Sequence, residues 1–257
     1  MELGLNGKTA IVTGGTRGLG LACATSLGRE GVRIIICGRD ELTLKNALDG
    51  FQSNGIDASG VVADIMDPDG ASQVYEYATK QYGVVDILVN NVGGSRGAGG
   101  IMEISDLDWL ETFELNLFGS IRLTRLVVPD MRQRKWGRVI CIGSIYGREL
   151  GGGMTYMTAK AALMGFTKHL SNQLAPDNVL VNTVHPGSIA HPGGGWQRRL
   201  DQEPEAMKEF IETNLPLGRF GRSEELGDFV CFLASEKASL ITGTALNVDG
   251  GQSYSLL

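Results

Sequence analysis

An α/β fold, with a doubly wound and mostly parallel sheet of seven strands flanked by helices, is the architecture that the sequence predicts. Short apolar runs alternate with helical patterns, and this alternation is typical of parallel strands joined by right-handed helical crossovers. The strand-like runs fall at residues 8–12, 33–37, 60–63, 86–89, 138–142, 179–184 and 245–248. No linker, internal repeat or low-complexity segment separates them. We therefore expect a single domain over residues 1–257.

A glycine-rich turn follows the first strand and leads into an apolar helical stretch at 21–29. The turn reads Thr13-Gly14-Gly15-Thr16-Arg17-Gly18-Leu19-Gly20. Glycines here let the backbone approach a pyrophosphate, which the amides and the positive dipole of the next helix then hold. Three residues separate the first glycine from the second, unlike the G-x-G-x-x-G fingerprint. The flanking strand and helix supply the context that such a motif needs, and a plain structural turn is the alternative.

The end of the second strand bears on the choice of cofactor. A carboxylate at this corner binds the ribose 2′-hydroxyl of NAD, whereas the 2′-phosphate of NADP needs a cation. Gly38 and Arg39 occupy the corner, and Arg17 in the glycine-rich turn is a second cation. We therefore expect NADP(H). NAD(H) is the alternative, in which Arg39 faces water and Asp40 or Glu41 supplies the carboxylate.

Tyr156 and Lys160 form the most informative pair of residues in the second half of the chain. Residues four apart lie on one face of a helix, so an ammonium stands beside a phenol. A free Tyr has a pKa of about 10, and a neighbouring cation lowers that pKa toward the range useful for proton transfer. The pair therefore indicates an acid/base site. Taken alone, a surface helix with unrelated Tyr and Lys side chains is the simpler explanation.

Together, the glycine-rich turn and the Tyr-x-x-x-Lys pair resemble the short-chain dehydrogenase/reductase family, including its 3-oxoacyl-(acyl-carrier-protein) reductase-like members. The resemblance covers nearly the whole chain. Further segments similar to those of the family are, in chain order, Asn90-Asn91-Val92-Gly93, Glu114-Leu115-Asn116-Leu117, Ile142-Gly143-Ser144, Pro186-Gly187 and Val248-Asp249-Gly250-Gly251. The resemblance implies a Rossmann fold and an NADP(H)-dependent oxidoreductase that transfers hydride between nicotinamide and a carbonyl or secondary alcohol substrate.

The resemblance also implies four catalytic roles. Tyr156 is the general acid/base, and Lys160 lowers the pKa of Tyr156 and binds the nicotinamide ribose. Ser144 donates a hydrogen bond to the substrate oxygen, and Asn116 holds a water that links Lys160 to solvent.

The implied cofactor contacts extend from the glycine-rich turn to the sixth strand. They are Gly14, Thr16, Arg17, Gly18, Leu19, Gly20, Arg39, Asp64, Ile65, Asn91, Val92, Gly93, Tyr156, Lys160, Pro186, Gly187 and Ile189. Asp64 resembles the residue of the family that hydrogen-bonds the adenine. A helix cap is the other role that suits this Asp.

Two positions depart from the family pattern. Ser144 precedes Tyr156 by one residue fewer than is commonest, and Tyr146 offers a second phenol nearby. His191 stands where the family commonly has a Thr near the nicotinamide, and we hypothesise that Ser188 replaces that Thr.

Three glycine-containing loops are the expected walls of the substrate site, at 93–101, 146–154 and 188–215. The last should form a substrate lid, helical over 196–214; an ordinary packed helix is the alternative. Its apolar side comprises Leu200, Met207, Phe210 and Ile211. Arg96 and Arg148 could bind a carboxylate or phosphate of the substrate, and Tyr146, Met154 and Trp196 could face an apolar group. Substrate identity stays open.

One residue argues against the hypothesis that an acyl carrier protein carries the substrate. Asp177 stands where reductases of this kind often show an Arg, although Lys135 remains available on the other side. The family resemblance implies a homotetramer, joined by the helices that hold Asn116 and Tyr156 and by the carboxyl-terminal segment.

Composition and charge exclude other classes of protein. Hydrophobic residues make up 42% of the chain and charged residues 20%, which is typical of a globular interior. The net charge of -6 argues against nucleic acid or an anionic membrane as a partner. A short basic cluster is most simply a solvated helix end; it comprises Arg132, Arg134, Lys135 and Arg138. No apolar run approaches the roughly 20 residues of a membrane span, and residues 1–4 lack the basic start of a secretion signal, so we expect a cytoplasmic protein.

Cysteine and histidine spacing predicts neither disulfides nor a metal site. The cysteines are widely separated in apolar surroundings and should be reduced core residues: Cys23, Cys37, Cys141 and Cys231. A structural role is expected for each histidine, although His185 could approach the cofactor.

Two alternative functions remain from the sequence. An NAD-dependent alcohol or diol dehydrogenase working oxidatively is disfavoured by Gly38 and Arg39. A cofactor-binding protein without catalysis is disfavoured by the presence of all four catalytic residue types.

Overall fold

The computed structural model describes residues 2–256 and contains a seven-stranded sheet in which every pairing is parallel. In chain order the strands are β1 (Thr9–Thr13), β2 (Arg33–Gly38), β3 (Ala58–Val62), β4 (Ile87–Asn90), β5 (Gly137–Ile142), β6 (Val179–Pro186), the short β7 (Ile189–Ala190) and β8 (Gly221–Arg222), and β9 (Ala245–Val248). β7 and β8 pair only with each other. The order in the large sheet is β3-β2-β1-β4-β5-β6-β9. The predicted strand positions and sheet are confirmed, and "mostly parallel" becomes wholly parallel.

Helices connect the strands. They are α1 (Gly18–Arg29), α2 (Glu41–Ser53), α3 (Gly70–Tyr82), α4 (Asp106–Phe113), α5 (Gly119–Arg134), α6 (Met154–Leu174), α7 (Gly195–Gln202), α8 (Pro204–Asn214) and α9 (Ser223–Ala234). A π-helical turn, Glu114–Phe118, joins α4 to α5 without a break. Each parallel crossover thus carries a helix, as the βαβ rule requires.

Alternation along the strands divides the core into two layers. Ala10 and Val12 of β1 pack in one apolar cluster with α1, α2 and α9, whereas Ile11 packs in another with α3, α5 and α6. Successive side chains point to opposite faces of a strand, so a strand buried on both faces reads as a continuous apolar run. The sheet is therefore covered on both sides, which confirms the doubly wound prediction.

The switch in strand order lies between β1 and β4. β1 is followed by α1 and then β2 on one side, whereas β4 and the later strands extend to the other side. Ligands of such sheets bind in the crevice at the carboxyl ends of the strands next to this switch. The glycine-rich turn follows β1, and residues 91–93 follow β4, so both segments border the crevice.

The predicted helix at 196–214 is two helices. α7 ends at Gln202, and α8 begins at Pro204. Proline lacks a backbone N–H and suits the first position of a helix, so a new helix begins there. The predicted apolar side chains do pack together, in a cluster of Trp196, Leu200, Met207, Phe210, Ile211, Leu215 and Phe220 with Ala190.

The basic cluster near β5 is paired rather than freely solvated. Arg132 and Lys135 both form ion pairs with Asp177, and Arg134 pairs with Asp86. Arg138 corrects the expectation of a solvated helix end: it is 1% exposed on β5, and burial lowers its pKa. The alternating burial of a central strand explains this, because a short charged run cannot reveal which side chain faces inward.

All four cysteines are free and buried, which confirms their expected place in the core. No helix within residues 2–256 combines the length and apolarity that crossing a membrane requires.

Candidate active site

The glycine-rich turn adopts the backbone conformation that its glycines permit. Gly14 and Gly18 have φ of +63° and +56°, in the left-handed region that favours glycine. Asn91 ties the turn to the end of β4, because its side-chain amide donates to the carbonyl oxygen of Thr13 at 2.9 Å. The Thr13 hydroxyl accepts in return from the backbone N–H of Asn91, also at 2.9 Å. The segments that follow the carboxyl ends of β1 and β4 are therefore held side by side.

A cavity of about 680 Å³ opens above this turn, a size within the usual range of ligand pockets. Most of the predicted cofactor contacts line it: Gly14, Thr16, Arg17, Gly18, Leu19, Arg39, Asp64, Ile65, Asn91, Val92 and Gly93. Gly20 lies beneath, where a Cβ would overlap the carbonyl oxygen of Gly14. Left-handed glycines, backbone close to the cavity and cations at its rim fit a dinucleotide.

Pro186, Gly187 and Ile189 do not line this cavity. Gly187 packs against Asp249, and Ile189 lines a separate cavity of about 360 Å³. Their contact with the cofactor stays a prediction. Asp249 and Gln252, from the carboxyl-terminal segment, pack against Gly187.

Charges at the adenosine end of the cavity match the predicted arrangement. Arg39 lines the cavity and lies 3.6 Å from a carboxylate oxygen of Asp64. Asp40 caps α2, because its carboxylate accepts from the backbone N–H of Thr43 at 2.8 Å. Asp64 accepts from the N–H of Met66 at 2.9 Å, so it stabilises its own turn while facing the cavity. Of the two carboxylates that the NAD alternative names, that of Asp40 therefore caps a helix, and Asp40 also lines the cavity.

Lys160 stands at the inner end of the crevice. It is 2% exposed, and its ammonium donates to the carbonyl oxygen of Ile142 at 2.8 Å. A Cβ on Gly93 would lie 2.8 Å from Nζ, so the lysine touches a wall of the cofactor cavity. Burial lowers the pKa of Lys160 to about 8.

Tyr156 lies one turn earlier on α6, with its ring centroid 5.6 Å from Nζ of Lys160. Burial raises the pKa of Tyr156, and a hydrogen bond from Ser144 acts in the opposite direction. The lowering of the phenol pKa by Lys160 stays a prediction. In this structure the Lys160 ammonium donates to the carbonyl oxygen of Ile142, and burial is the largest influence on the pKa of Tyr156.

Ser144 is buried at the end of β5, and His185 on β6 lies behind it. The Nδ1 atom of His185 accepts from the backbone N–H of Ser144 at 3.1 Å and lies 2.6 Å from the Ser144 carbonyl oxygen. Burial lowers the pKa of His185 to about 4. His185 therefore holds the backbone of Ser144, and its low pKa keeps the imidazole neutral near pH 7.

Asn116 occupies the π-helical turn between α4 and α5. Its side-chain amide donates to the carbonyl oxygens of Gly94 at 2.6 Å and Thr112 at 2.7 Å. Its oxygen accepts from the N–H of Gly94 at 3.1 Å and would lie 2.8 Å from a Cβ on Gly93. π-Helical turns are rare in proteins overall, and those that occur are often found at functional sites. Here the turn directs Asn116 at the same glycine pair that Lys160 contacts.

The substrate side of the crevice differs in part from the predictions. Arg96 pairs with Glu111 at 3.4 Å, and Arg148 donates to Asn247 at 3.0 Å, so both guanidiniums already have partners. The Ser188 hydroxyl accepts from Gln252 at 3.0 Å, and Ser188 lines the separate cavity beside Ile189. Its contact with nicotinamide stays a hypothesis.

Trp196 also has another role than facing an apolar substrate group. Its ring packs 4.8 Å from that of Phe210 and 5.2 Å from that of Phe220, inside the apolar cluster of α7 and α8. Tyr146 remains beside Tyr156, and burial raises its pKa.

Among the other residues that line the cofactor cavity are His191 and Arg198, which come from the segment predicted as a lid and which sequence reasoning did not assign to the cofactor. His191 had drawn attention only as a departure from the usual Thr, and a lone Arg on a helix carries no motif. Only the fold brings His191 against Gly18 and Arg198 into the same cavity.

Fold and site together define a dinucleotide-dependent oxidoreductase that acts on a carbonyl or hydroxyl group. The family model described as short chain dehydrogenase matches residues 8–202. The chain therefore belongs to the short chain dehydrogenase family, as its motifs indicated.

Similar proteins cover the chain nearly from end to end. The 3-oxoacyl-(acyl-carrier-protein) reductase FabG of Aquifex aeolicus is 38% identical over 98% of this chain and 99% of its own length. The structure of L-sorbose reductase from Gluconobacter frateurii, complexed with NADPH and L-sorbose, has a TM-score of 0.92 at 34% identity and covers 100% of both chains. A variant of actinorhodin polyketide ketoreductase with NADPH has a TM-score of 0.90 at 33% identity, over 96% of this chain and 98% of its own.

Proposed function

We propose that this protein is an NADP(H)-dependent reductase of a free carbonyl substrate, with Tyr156 as general acid/base. The observation that carries the proposal is the convergence of two groups of residues at one glycine. Gly93 forms the inner wall of the dinucleotide cavity and touches both Lys160 and Asn116. The proton-transferring side chains would therefore lie next to the nicotinamide half of a dinucleotide bound in this cavity.

Each side chain of the site has a chemical task in the proposed reaction. A bound NADPH supplies a hydride to the carbonyl carbon. Tyr156 gives its phenolic proton to the carbonyl oxygen, and Ser144 donates a hydrogen bond that stabilises the charge developing there. Lys160, with its pKa near 8, can hold or release a proton close to neutral pH. Asn116 fixes the backbone at Gly94, which keeps this wall of the crevice in place.

NADP(H) rather than NAD(H) is supported by the adenosine corner. Arg17 and Arg39 line the cavity there, whereas the Asp40 carboxylate serves as a helix cap. Guanidinium groups suit a phosphate because they can donate two parallel hydrogen bonds. The sorbose reductase and the actinorhodin ketoreductase were both crystallised with NADPH, which agrees with this choice. An NAD-dependent dehydrogenase working oxidatively remains the alternative.

A small free substrate is favoured over one carried on an acyl carrier protein. The family resemblance implies that docking of such a carrier needs a basic surface near the active site. Arg132 and Lys135 share the single carboxylate of Asp177, which offsets part of the positive charge on this surface, including that of Lys135. The FabG relatives are named for the acyl-carrier reaction, and the sorbose reductase is named for a sugar; the paired Asp177 supports the second kind of substrate.

We further propose one catalytic unit over residues 1–257, with 188–215 as its substrate lid, acting as a homotetramer in the cytoplasm. A groove of about 890 Å³ between α5 and α6 supports the assembly, because its walls include the apolar side chains of Ile121, Val128, Phe166 and Leu170. A second copy of the chain is the proposed occupant, since these are the helices beside Asn116 and Tyr156.

The test is oxidation of NADPH, followed by its absorbance, over a panel of keto sugars, ketones, keto esters and acyl thioesters, with NADH in parallel. We expect turnover of a free carbonyl compound with NADPH preferred. Tyr156→Phe should lower kcat by about 10²–10⁴-fold, the usual worth of a general acid, while NADPH affinity changes less than twofold. Preserved turnover in this variant would sink the assignment of Tyr156, and preference for NADH would favour the oxidative dehydrogenase.

A further inference from the structure

The segment that follows β7 lies against the glycine-rich turn. A Cβ on Gly18 would be 2.6 Å from Cε1 of His191, and one on Gly194 would be 2.8 Å from the same atom. The imidazole therefore lies between the turn and the start of α7. Its Nδ1 atom is 3.1 Å from the carbonyl oxygen of Pro192, and within residues 2–256 no hydrogen-bond partner reaches Nε2. One ring nitrogen is thus open at the wall of the cofactor cavity.

Arg198, one turn into α7, lines the same cavity. Its Nη1 atom donates to the carbonyl oxygen of Gly193 at 2.9 Å, and no carboxylate of the described chain lies within ion-pairing distance. Arg199, the next residue, is different: it pairs with Glu203 at 3.9 Å and stacks on Trp196, outside the cavity. Two adjacent arginines on one helix therefore face different surroundings.

The charge of a dinucleotide explains why an unpaired cation is useful here. A pyrophosphate carries about two negative charges, and the glycine-rich turn offers it backbone amides and a helix dipole worth about half a positive charge. Arg39 stands at the adenosine corner with Asp64, away from the turn. Arg17, in the turn itself, lines the same cavity, and Arg198 of the lid segment is a further cation along its wall.

We propose that His191 and Arg198 bind the pyrophosphate of the cofactor from the lid side, and so complete a site whose other half is the glycine-rich turn. The inference rests on the proposed NADP(H) function. It makes the 188–215 segment part of the cofactor site: bound dinucleotide is held between the turn at Gly18 and the start of α7, and it draws the two together.

Fluorescence titration of the full chain tests this, with NADPH and adenosine 2′-monophosphate as the two probes. The second probe has the 2′-phosphate and no pyrophosphate. His191→Ala and Arg198→Ala should each weaken NADPH binding about 5- to 20-fold, consistent with about 1–2 kcal/mol per contact, and leave the affinity for adenosine 2′-monophosphate within twofold of wild type. Arg39→Ala should weaken both probes. Arg199→Ala removes the same charge from the same helix and should leave both affinities within twofold.

Each other outcome overturns a defined statement. If wild type binds NADPH and both cavity variants bind it equally well, this inference is wrong and the proposed function stands. An equal loss in Arg199→Ala assigns the effect to overall charge and also overturns the inference. If wild type binds neither probe, the proposed cofactor itself is wrong. Arg198→Lys and His191→Gln, which keep a charge or a donor, should bind NADPH between wild type and the alanine variants; equality with the alanine variants would point to lost packing instead.

Discussion

Lys160 combines a buried position with a charged side chain, and this combination gives the site a proton near neutral pH. An ammonium with a single carbonyl partner is costly to bury. Burial therefore favours the neutral amine and lowers the pKa of Lys160 to about 8. Tyr156, half-buried beside it, has its pKa raised. The two pKa values thus move apart, with the pKa of the amine falling below 10.5 and the pKa of the phenol rising above 10. In the protein without cofactor, the phenol therefore holds its proton more firmly than the ammonium does.

His185 provides a prediction about pH and stability. Its pKa is about 4 in the folded protein against an ordinary 6.5, so as pH falls from 6.5 to 4 the unfolded chain takes up a proton that the folded chain refuses. The free energy of unfolding should therefore fall with decreasing pH in this window, by at most about 1.4 kcal/mol per pH unit from this residue and on the order of 3 kcal/mol in total. Urea unfolding at pH 7, 6, 5 and 4 measures it.

His185→Asn is the matched variant, because its amide can still hydrogen-bond the Ser144 backbone but cannot titrate. As pH decreases from 6.5, the free energy of unfolding of wild type should fall relative to that of the variant. A constant difference across this range would show that His185 is protonated in the folded protein, contrary to the pKa that its burial gives.

At the scale of elements, the junction between α4 and α5 places Asn116. Ser105 and Asp108 form a capping box that fixes the start of α4, with Asp108 accepting from the Ser105 N–H at 3.0 Å. The helix then passes through the π-helical turn at Glu114–Phe118, which rotates the following residues relative to an α-helix. Asn116 reaches the Gly93–Gly94 wall because of that turn.

The helices α7 and α8 are held by an aromatic cluster, and its loss should loosen them without unfolding the core. Phe210→Ala removes a ring that lies 4.8 Å from Trp196 and 5.9 Å from Phe220. We expect faster tryptic cleavage at the Arg and Lys residues of 195–214, and a fall in the unfolding midpoint that is small because the half-buried Phe210 lies outside the two main core layers.

Cleavage sites identified by mass spectrometry provide the measurement. Phe229→Ala is the control, since Phe229 packs on the main core rather than on the lid cluster. Equal acceleration of cleavage in both variants would mean that the two helices unfold only together with the whole protein.

At the scale of the molecule, the groove between α5 and α6 leads to a prediction about assembly. Leu170→Glu places a carboxylate among the apolar side chains of this groove, so burial against a second copy becomes unfavourable. Analytical ultracentrifugation should find a tetramer for wild type and smaller species for the variant. Leu42→Glu is the control, because Leu42 is exposed on α2, away from the groove. A monomeric wild type, or a variant that still forms tetramers, would contradict the proposed interface.

Local patterns in the sequence were sufficient for much of the fold and part of the site. Strands buried on both faces read as apolar runs, and each of the seven runs became a strand of the sheet. The tight turn at Gly14 and Gly18 was predictable because a left-handed backbone conformation favours glycine, and both residues have positive φ. The helix break at Pro204 was not predicted. The helical spacing of apolar residues continues across Pro204, but proline lacks the backbone N–H that a continuous helix needs there.

What the sequence by itself determined is which backbone conformations and which reactive groups the chain contains: the parallel sheet, the glycine-rich turn, the Tyr156–Lys160 pair and Ser144. These follow from interactions within a few residues of one another. The tertiary structure alone decided the pairing of Asp177 with Arg132 and Lys135, the burial that shifts the pKa values of Tyr156 and His185, and the approach of His191 to Gly18 with Arg198 lining the same cavity. Those properties depend on desolvation and charge between segments far apart in the chain, which no local pattern records.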